Sequence, residues 1–335
     1  MKRLILLALL LVGCAHQSAV VPTPGQPVRS GATVYQWSQV TLSSPVFTMT
    51  VLGHDGDIYG WTATTNPEQF FVVRITPQGQ VTDFPVQDEP LSSTMTPNPD
   101  TNMYAIEESV QDGSCELVQI TESGVVTQTP LPALTGSDYP ESMVTGSDGN
   151  LWLLHHNGVA RVTTTGGFTD FPGGPYNHGQ IVRGPDKNLW VLAEVGPLGV
   201  GTLVQVNVAS GVQTQFVTPQ SVYDLVQGPD KNLYSGSASG RDMPGIYAIS
   251  TQGVFTYYAT SPGPGYHIVA GPSGRLLWLN KDKVFSWNVR THTIGIRAPI
   301  PNAHLWEQFE LVSDLDTVWV FTSAYDQTAQ VLTLP

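Results

Sequence analysis

Short apolar segments separated by turn residues run through most of the chain, and in many of them apolar and polar residues alternate. The alternation is clearest in three segments that change direction at a glycine: RITPQGQVTDFPV from Arg74, QITESGVVTQTPL from Gln119 and RVTTTGGFTDFPG from Arg161. A period of two is typical of a β-strand with one buried face, and glycine tolerates the positive φ of a tight hairpin. Because no long apolar stripe with a helical period accompanies these segments, the pattern predicts an almost all-β protein.

A second element recurs ahead of these hairpins, namely a turn rich in Gly, Pro, Asp and Asn that ends in an aromatic residue. The hexapeptide GPDKNL occurs twice, from Gly184 and from Gly228, and is followed by Trp190 or Tyr234. Looser copies, with 38 to 48 residues between neighbouring aromatics, end at five further positions: Tyr59, Tyr104, Trp152, Trp278 and Trp319. A turn and a hairpin in each repeat make four strands, and repeats of this length are typical of propeller blades. The seven copies predict a seven-bladed β-propeller of four-stranded blades over residues 33–335.

The two ends of the repeat region are incomplete in complementary ways. The last repeat ends in AQVLTLP at Pro335 after only three strands, whereas VYQWSQVTLSSP from Val34 is a strand that precedes the first turn. Pairing the two would complete the seventh blade and remove the exposed sheet edges. We therefore expect the N-terminal strand to close the last blade, in the arrangement known as Velcro closure.

Five of the seven turns carry an aspartate at the same position: Asp55, Asp100, Asp148, Asp186 and Asp230. An Asp side chain can accept hydrogen bonds from main-chain N–H groups one or two residues further on. A calcium loop is the alternative, but no Glu lies at the spacing that an EF-hand-type loop needs. We expect these aspartates to shape the turns and the repeated aromatic residues to fill the core.

The first residues have the pattern of a targeting segment. Two basic residues precede an apolar stretch, 4–12, that is too short to cross a bilayer. LVGC, which ends at Cys14, resembles the bacterial lipobox, and this implies cleavage before Cys14 and lipidation of its thiol; an ordinary secretory signal is the alternative. We expect residues 1–13 to be a signal peptide, and residues 14–32 to be a lipidated cysteine and a flexible tether. Ala15 after the cysteine implies sorting to the outer membrane, facing the periplasm.

Acidic residues outnumber basic ones, 27 to 14, and the formal net charge is −13. Loss of residues 1–13 would leave 12 basic against 27 acidic residues, a charge of −15. This balance argues against a nucleic-acid partner, because phosphate binding needs a basic surface. If Cys14 carries lipid, Cys115 has no partner for a disulfide bond, and we expect Cys115 to be structural in a monomeric protein.

Ionisable residues that do not repeat precede the innermost strand in four consecutive repeats: Glu141, His178, Asp224 and His267. In a propeller these segments surround one mouth of the central channel. Counted back from the glycine of the following turn, His178, Asp224 and His267 have the same parity and are predicted to share a strand face, whereas Glu141 has the other parity. Such a set could bind a ligand, hold a divalent metal, perform acid–base chemistry or only line a polar pore.

Four tyrosines accompany these residues: Tyr139, Tyr176, Tyr223 and Tyr266. Around one opening they would form an amphipathic rim suited to an aromatic or cyclic ligand, and packing between blades is the alternative. We expect a ligand-binding site formed by the following residues: Glu141, His178, Tyr223, Asp224, Tyr266 and His267.

The alternation of turns such as GPDKNLW with hairpins such as RVTTTGGFTDFP resembles the streptogramin B (virginiamycin B) lyase family over residues 34–335. The resemblance implies a metal-assisted elimination that opens an ester-linked cyclic depsipeptide, with a histidine as general base and an acidic residue in a magnesium site. His178 and His267 stand where family histidines occur and are the candidate catalytic residues.

The same resemblance points to positions for the acidic residues. Family members often carry a Glu three residues after the turn aromatic, and the corresponding residues of repeats two, three, six and seven are Glu107, His155, Lys281 and Thr322. Glu194 lies one residue later in repeat four. Glu194 and Asp224 are the candidate metal ligands.

Two functions are open at this point. The first, which we expect, is a lipid-anchored cell-envelope propeller that binds a small ligand or an envelope protein at its channel mouth, without an assured cofactor. The alternative is a streptogramin B lyase-like carbon–oxygen lyase or a lactone-processing enzyme, which would use His178 and His267 with a divalent cation such as Mg²⁺. A fold alone does not decide between them.

Overall fold

A computed structural model of the chain describes residues 23–24, 28–30, 33–41, 48–65, 68–91, 94–109, 111–135, 139–174, 176–195, 200–218, 222–237, 245–261, 264, 268–280, 282–301, 309–313, 317–322 and 328–333. These residues form seven antiparallel sheets and a single-turn 3₁₀ helix at Pro272–Gly274. In this part of the chain, no helix is long and apolar enough to span a membrane.

The strands follow one another in chain order, and each sheet is one blade. Three N-terminal strands come first: β1 (Thr23–Pro24), β2 (Val28–Ser30) and β3 (Thr33–Thr41). Blade 1 contains β4 (Thr48–Leu52), β5 (Ile58–Thr65), β6 (Glu68–Ile75) and β7 (Val81–Val86). Blade 2 contains β8 (Glu89–Pro90), β9 (Thr96–Pro97), β10 (Met103–Glu108), β11 (Ser114–Ile120) and β12 (Val126–Thr135). Blade 3 contains β13 (Pro140–Thr145), β14 (Leu151–His155), β15 (Gly158–Val162) and β16 (Phe168–Pro172).

The later blades repeat this order. Blade 4 contains β17 (Asn177–Arg183), β18 (Leu189–Val195), β19 (Val200–Val206) and β20 (Gln213–Val217). Blade 5 contains β21 (Tyr223–Gln227), β22 (Leu233–Ser237), β23 (Gly245–Ile249) and β24 (Phe255–Ala259). Blade 6 contains β25 (Ile268–Gly271), β26 (Arg275–Asn280), β27 (Lys283–Asn288) and β28 (Thr293–Pro299). Blade 7 contains β29 (Phe309–Ser313), β30 (Thr317–Thr322) and β31 (Thr328–Thr333), with β3 as its fourth strand.

The innermost strands close into a ring. Each innermost strand contacts the innermost strand of the next blade, and the last contacts the first, β29 with β4. The innermost strands are β4, β9, β13, β17, β21, β25 and β29. The fourth strand of blade 7 is β3, which pairs with β31 from Gln36↔Thr333 to Thr41↔Thr328. The seven-bladed propeller and its closure by the N-terminal strand are therefore confirmed.

The N-terminal segment adds to blade 7. Thr23 and Pro24 of β1 pair with Gln39 and Ser38, and β2 forms a tight hairpin with the start of β3. Both strands belong to residues 14–32, for which the sequence predicted a flexible tether.

The core lies between neighbouring blades. Strands inside a blade are covered on both faces, and all five residues of β14 are buried, whereas no residue of the outermost strand β16 is. One core cluster joins Trp152 and Leu154 of blade 3 to Ile181 and Val191 of blade 4. Burial of both faces explains why a second strand such as β14 is almost continuously apolar, whereas the outermost strand β16 contains polar residues.

The repeated aspartates have the predicted structural role. In all five turns Asp Oδ1 accepts the N–H of the residue two positions further on, at 3.0 to 3.3 Å. The aspartate also accepts the phenolic hydroxyl or indole N–H of the buried aromatic residue four positions further on, at 2.7 to 3.2 Å. Turn and aromatic therefore form one unit, which the sequence did not predict. Burial, with the Asp100 carboxylate as a further cause, raises the pKa of Tyr104 to about 12.

Blade 6 departs from this unit. Leu277 pairs with Val269 and Ser286, as Trp190 of blade 4 pairs with Val182 and Gln205. Trp278 is fully buried one residue later, and its Nε1 has no hydrogen-bond partner among the described residues. The prediction that Trp278 fills the core is confirmed, but the anchor position belongs to Leu277, which lies six residues after the turn glycine Gly271 as Trp190 lies six residues after Gly184.

The strand directions define two ends of the propeller. We call the end at which the innermost strands begin the entry face; the aspartate turns and the hairpins lie at the other end, the turn face. The innermost strand β29 begins at Phe309, which pairs with Thr322 at the end of β30, so the end of β30 lies at the entry face. The start of β31, at Thr328, lies beside the end of β30. Thr41 at the end of β3 pairs with Thr328 and therefore also lies at the entry face.

Candidate functional site

Those of the sequence-predicted site residues that the structure describes lie at the entry face. Glu141, His178 and Asp224 are each the second residue of an innermost strand, in β13, β17 and β21. Glu194 pairs with Asn177 and so lies at the same end of blade 4.

Some of these residues are described only in part. The main chains of His178, Glu194 and Tyr223 are described without their side chains, and Tyr266 and His267 lie outside the described residues.

The starts of the innermost strands are bulged. In β13 the pairing shifts between Pro140 and Ser142, which makes Glu141 the additional residue, and in β17 it shifts around His178 in the same way. In β21 the shift lies between Tyr223 and Val226, and Asp224 there has a φ of 53°. A bulge leaves one residue out of the ladder and redirects its side chain, and bulges are frequent beside functional sites. Parity counted along the sequence does not hold across these bulges.

Side chains near the starts of these strands accept main-chain N–H groups of the next blade. Three such contacts occupy one repeated position, four residues before the turn glycine, and we call them interblade latches. They are Ser142 Oγ with Ile181 N at 3.2 Å, Gln180 Oε1 with Leu225 N at 2.6 Å, and Asp224 Oδ2 with Ile268 N at 3.3 Å. Asp224 is thus the structural equivalent of Ser142 and Gln180.

Glu141 makes a fourth contact of this kind, one residue before the repeated position. Its Oε2 accepts the N–H of Gly179 at 2.7 Å. Both carboxylates that were predicted to contact a ligand and whose side chains are described therefore join neighbouring blades.

The side chains of two of the four tyrosines predicted to form a rim are described, and their environments differ. Tyr139 is 41% exposed, and a hydrogen bond with Glu108 raises the pKa of its hydroxyl. Tyr176 is buried and donates its hydroxyl to Gln213 Oε1 at 2.6 Å. Tyr139 is therefore available to a ligand at the entry face, whereas Tyr176 packs between strands.

Glu107 is a fully buried acid near the same end of blade 2. Its carboxylate accepts the N–H of Asp88 at 3.2 Å and the side-chain amide of Gln128, and Glu116 lies directly opposite it in β11. Burial raises the pKa of Glu107, the carboxylates of Glu116 and Asp88 add to this effect, and the two hydrogen bonds oppose it. The sequence placed Glu107 at a family position but did not predict its burial.

The two adjacent histidines of blade 3 have separate environments. His155 is buried in β14, and its Nε2 lies 3.2 Å from Asp170 Oδ1 of the outermost strand β16. His156 is half-buried in the turn that follows. His155 has a polar contact within its own blade, and nothing brings the two imidazoles to one site.

The described donors do not fit a magnesium site. Mg²⁺ binds through oxygen ligands that converge in near-octahedral geometry. Among the side chains that the structure describes, no three His, Cys, Asp or Glu residues are grouped closely enough to hold a metal ion. Asp224, a candidate ligand, has its Oδ2 bonded to the N–H of Ile268.

Solved structures share this architecture. A catalytically inactive variant of virginiamycin B lyase from Staphylococcus aureus, solved with quinupristin, superposes with a TM-score of 0.70 at 18% identity, covering 90% of this chain and 100% of the other. The chain has the fold of virginiamycin B lyase. This agrees with the resemblance seen in the turns and hairpins.

Two other propellers are similar at lower identity. Oligogalacturonate lyase from Vibrio parahaemolyticus gives a TM-score of 0.65 at 11% identity, covering 96% of this chain and 99% of the other. A gluconolactonase from Xanthomonas campestris gives 0.56 at 10% identity, covering 95% and 99%. No protein-family model and no curated protein sequence matches the chain.

Proposed function

We propose that the chain is a lipid-anchored cell-envelope propeller that binds a small ligand at its entry face. The observation that carries this proposal is the set of bulges in three neighbouring innermost strands, at Glu141, His178 and Asp224. Bulges redirect side chains without ending the strand, and here they recur where the channel opens. The exposed Tyr139 adds an aromatic surface to the same end.

A cyclic or aromatic ligand suits this face. The virginiamycin B lyase variant with the same fold was solved with quinupristin. Tyr139, and in the proposal Tyr223 and Tyr266, would offer ring faces and hydroxyl groups, and His178 and His267 would offer polar contacts.

The lipid anchor is part of the proposal. Eight residues separate Cys14 from Thr23, and Thr23 pairs with Gln39 near the entry-face end of β3. At about 3.3–3.6 Å per residue, this stretch reaches at most about 30 Å. An anchor at Cys14 would therefore keep the entry face close to the bilayer.

A carbon–oxygen lyase or lactone-processing enzyme is the second candidate. Its support is the fold shared with virginiamycin B lyase and with a gluconolactonase. Binding without turnover is favoured because the Glu141 and Asp224 carboxylates are bonded to main-chain N–H groups.

The test measures quinupristin binding to the full chain in detergent by calorimetry, with mass spectrometry of the ligand in the presence and absence of Mg²⁺. We expect binding of intact quinupristin that is lost in the double variant His178→Ala, His267→Ala and kept in His54→Ala, a histidine on the turn face. Undiminished binding in the double variant would contradict the proposed binding site. A Mg²⁺-dependent ring-opened product that the double variant fails to form would replace binding by lyase activity.

A further inference from the structure

Positive charge is concentrated in blade 6. Residues 268–301 hold five basic residues against the single acid Asp282, a formal charge of +4, whereas the rest of the chain has 9 basic against 26 acidic residues, a charge of −17. The other extreme is blade 2, where residues 89–135 hold seven acidic residues and no basic one, a charge of −7. Blades 2 and 6 lie on opposite sides of the seven-bladed ring, so the propeller has a charge dipole across the ring.

Three of the basic side chains lie along the rim of blade 6, the side away from the channel. Lys283 begins β27 at the entry-face end, Arg290 lies in the hairpin at the turn face, and Arg297 is exposed on the outermost strand β28. Lys283 is 42% exposed and pairs with Asp282 at 3.0 Å. Arg290 is exposed, and within the part of the chain that the structure describes it forms no ion pair. The rim therefore offers positive charge from one end of the blade to the other.

The N-terminal segment meets the same rim. β1 pairs with β3 near the entry-face end of blade 7, and β2, which carries Arg29, contacts β28 of blade 6. The segment therefore lies on the side of blade 7 that faces blade 6. Since eight residues separate Cys14 from Thr23, a lipid at Cys14 would hold this side of the ring within about 30 Å of the bilayer. Blade 2, on the other side, would be held further away.

An anionic bilayer distinguishes the two sides of such a ring. Each Lys or Arg near an anionic membrane surface strengthens binding about fivefold, and acidic residues are repelled. The attraction falls off within a Debye length, about 8–10 Å in physiological salt, so basic residues act only where the protein touches the surface. Because a tethered domain is already held near the bilayer, a few such residues are enough to decide which side faces the lipid.

We propose that the rim of blade 6 is a membrane-docking surface, on which Lys283, Arg290 and Arg297 contact the phosphate groups of anionic phospholipids. The inference rests on the proposed lipid anchor, because Cys14 supplies the tether. The propeller then stands edge-on to the bilayer, with blade 2 pointing away from the lipid. In this orientation the entry face opens sideways, and a ligand reaches it from the aqueous phase without passing between protein and lipid.

The test places the full chain on vesicles of phosphatidylcholine, either alone or with about 30% phosphatidylglycerol. A fluorescent amino acid replaces Thr293 in blade 6 or Val125 in blade 2, two exposed residues that each follow the positive-φ residue of a hairpin. Energy transfer to an acceptor on the lipid headgroups reports how close each side of the ring is to the bilayer. We expect phosphatidylglycerol to increase transfer from the blade 6 label and to decrease transfer from the blade 2 label. About 0.5 M NaCl should abolish both changes.

Charge variants identify the surface that docks. Arg290→Gln with Arg297→Gln should lower the ratio of docked to undocked protein about 25-fold, because each side chain contributes about fivefold. The matched control is Lys187→Gln with Lys231→Gln, which removes the same charge from exposed turns of blades 4 and 5 and should change the ratio less than about twofold. If the blade 6 double variant does not fold, Arg290→Gln alone, in an exposed hairpin, should lower the ratio about fivefold.

Three outcomes would overturn the proposal. The first is an equal response of the two labels to phosphatidylglycerol, and the second is an equal effect of the two double variants, which would assign the attraction to net charge. The third is a dimer in solution that Arg290→Gln with Arg297→Gln abolishes, which would assign the rim of blade 6 to the acidic blade 2 of a second copy. A chain that leaves vesicles of pure phosphatidylcholine would contradict the lipid anchor instead, and its charge-dependent recruitment to phosphatidylglycerol would still decide the docking surface.

Discussion

The interaction between the aspartate and the aromatic residue of a turn should give a measurable coupling energy in a double-mutant cycle. Tyr234 is 1% exposed, and its hydroxyl donates to Asp230 Oδ2 at 2.8 Å, while Asp230 Oδ1 accepts Asn232 N at 3.3 Å. Asp230→Ala therefore removes the turn contact and also deprives a buried hydroxyl of its acceptor.

The two losses can be estimated separately. Loss of the contact to Asn232 N costs about 1 kcal/mol, and an unpaired buried hydroxyl costs about 1–3 kcal/mol. Asp230→Ala should lower the free energy of unfolding by about 2–4 kcal/mol. Tyr234→Phe should cost about 1–2 kcal/mol, because it removes the bond but leaves an exposed carboxylate that water can solvate. The double variant has no orphaned hydroxyl, so the coupling energy should be about 1–2 kcal/mol.

The assay is urea unfolding followed by tryptophan fluorescence for the wild type, both single variants and the double variant, with equal slopes required. Asp230→Asn, which keeps an acceptor oxygen, should fall between the wild type and Asp230→Ala. Additive single and double variants, with no coupling beyond experimental error, would refute the account of turn and aromatic as one unit.

Three further predictions concern other parts of the chain. Lys187 has a φ of 68° at the turn position that Gly149 occupies in blade 3, so Lys187→Gly should raise the free energy of unfolding by about 1 kcal/mol in urea titrations; a lower midpoint would contradict this. Because the pKa of Glu107 is raised in the folded protein, the protonated side chain stabilises the fold at a pH below its ordinary pKa, and this contribution is lost as the pH rises through the pKa of the folded state. The free energy of unfolding of Glu107→Gln relative to the wild type should therefore increase from pH 4 to pH 8. A pH-independent difference would contradict the raised pKa. Burial raises the pKa of the Cys115 thiol to about 11, so in a Cys14→Ser variant at pH 8 it should react with a disulfide reagent at least about 100-fold more slowly than in the urea-unfolded chain; rapid labelling of the native protein would count against a structural role.

The number of blades could be predicted from the sequence because each blade is marked by local chemistry. The Asp side chain and the N–H two residues on are neighbours along the chain, and Gly124 and Gly166 take the positive φ of a hairpin for local steric reasons. Only in blade 6, where the tryptophan stands one residue after the anchor position held by Leu277, did the local pattern give the wrong anchor.

The arrangement of the candidate site could be predicted only in part. The sequence placed Glu141, His178 and Asp224 at the start of innermost strands, and the structure has them there. It did not predict the bulges, because one additional residue leaves no mark in an irregular polar segment. Nor did it predict that Tyr176 would be buried with its hydroxyl bonded to Gln213, because Tyr176 precedes β17 and Gln213 begins β20, 37 residues later.

The sequence by itself determined the repeat, the four strands of each blade and the closure of blade 7, because periodicity and turn chemistry are local and the two incomplete ends are complementary. The tertiary structure alone decided which groups the entry-face carboxylates bind. Glu141 meets Gly179 over 38 residues and Asp224 meets Ile268 over 44. Those contacts exist only once neighbouring blades are packed around a closed ring, so no spacing along the chain could reveal them.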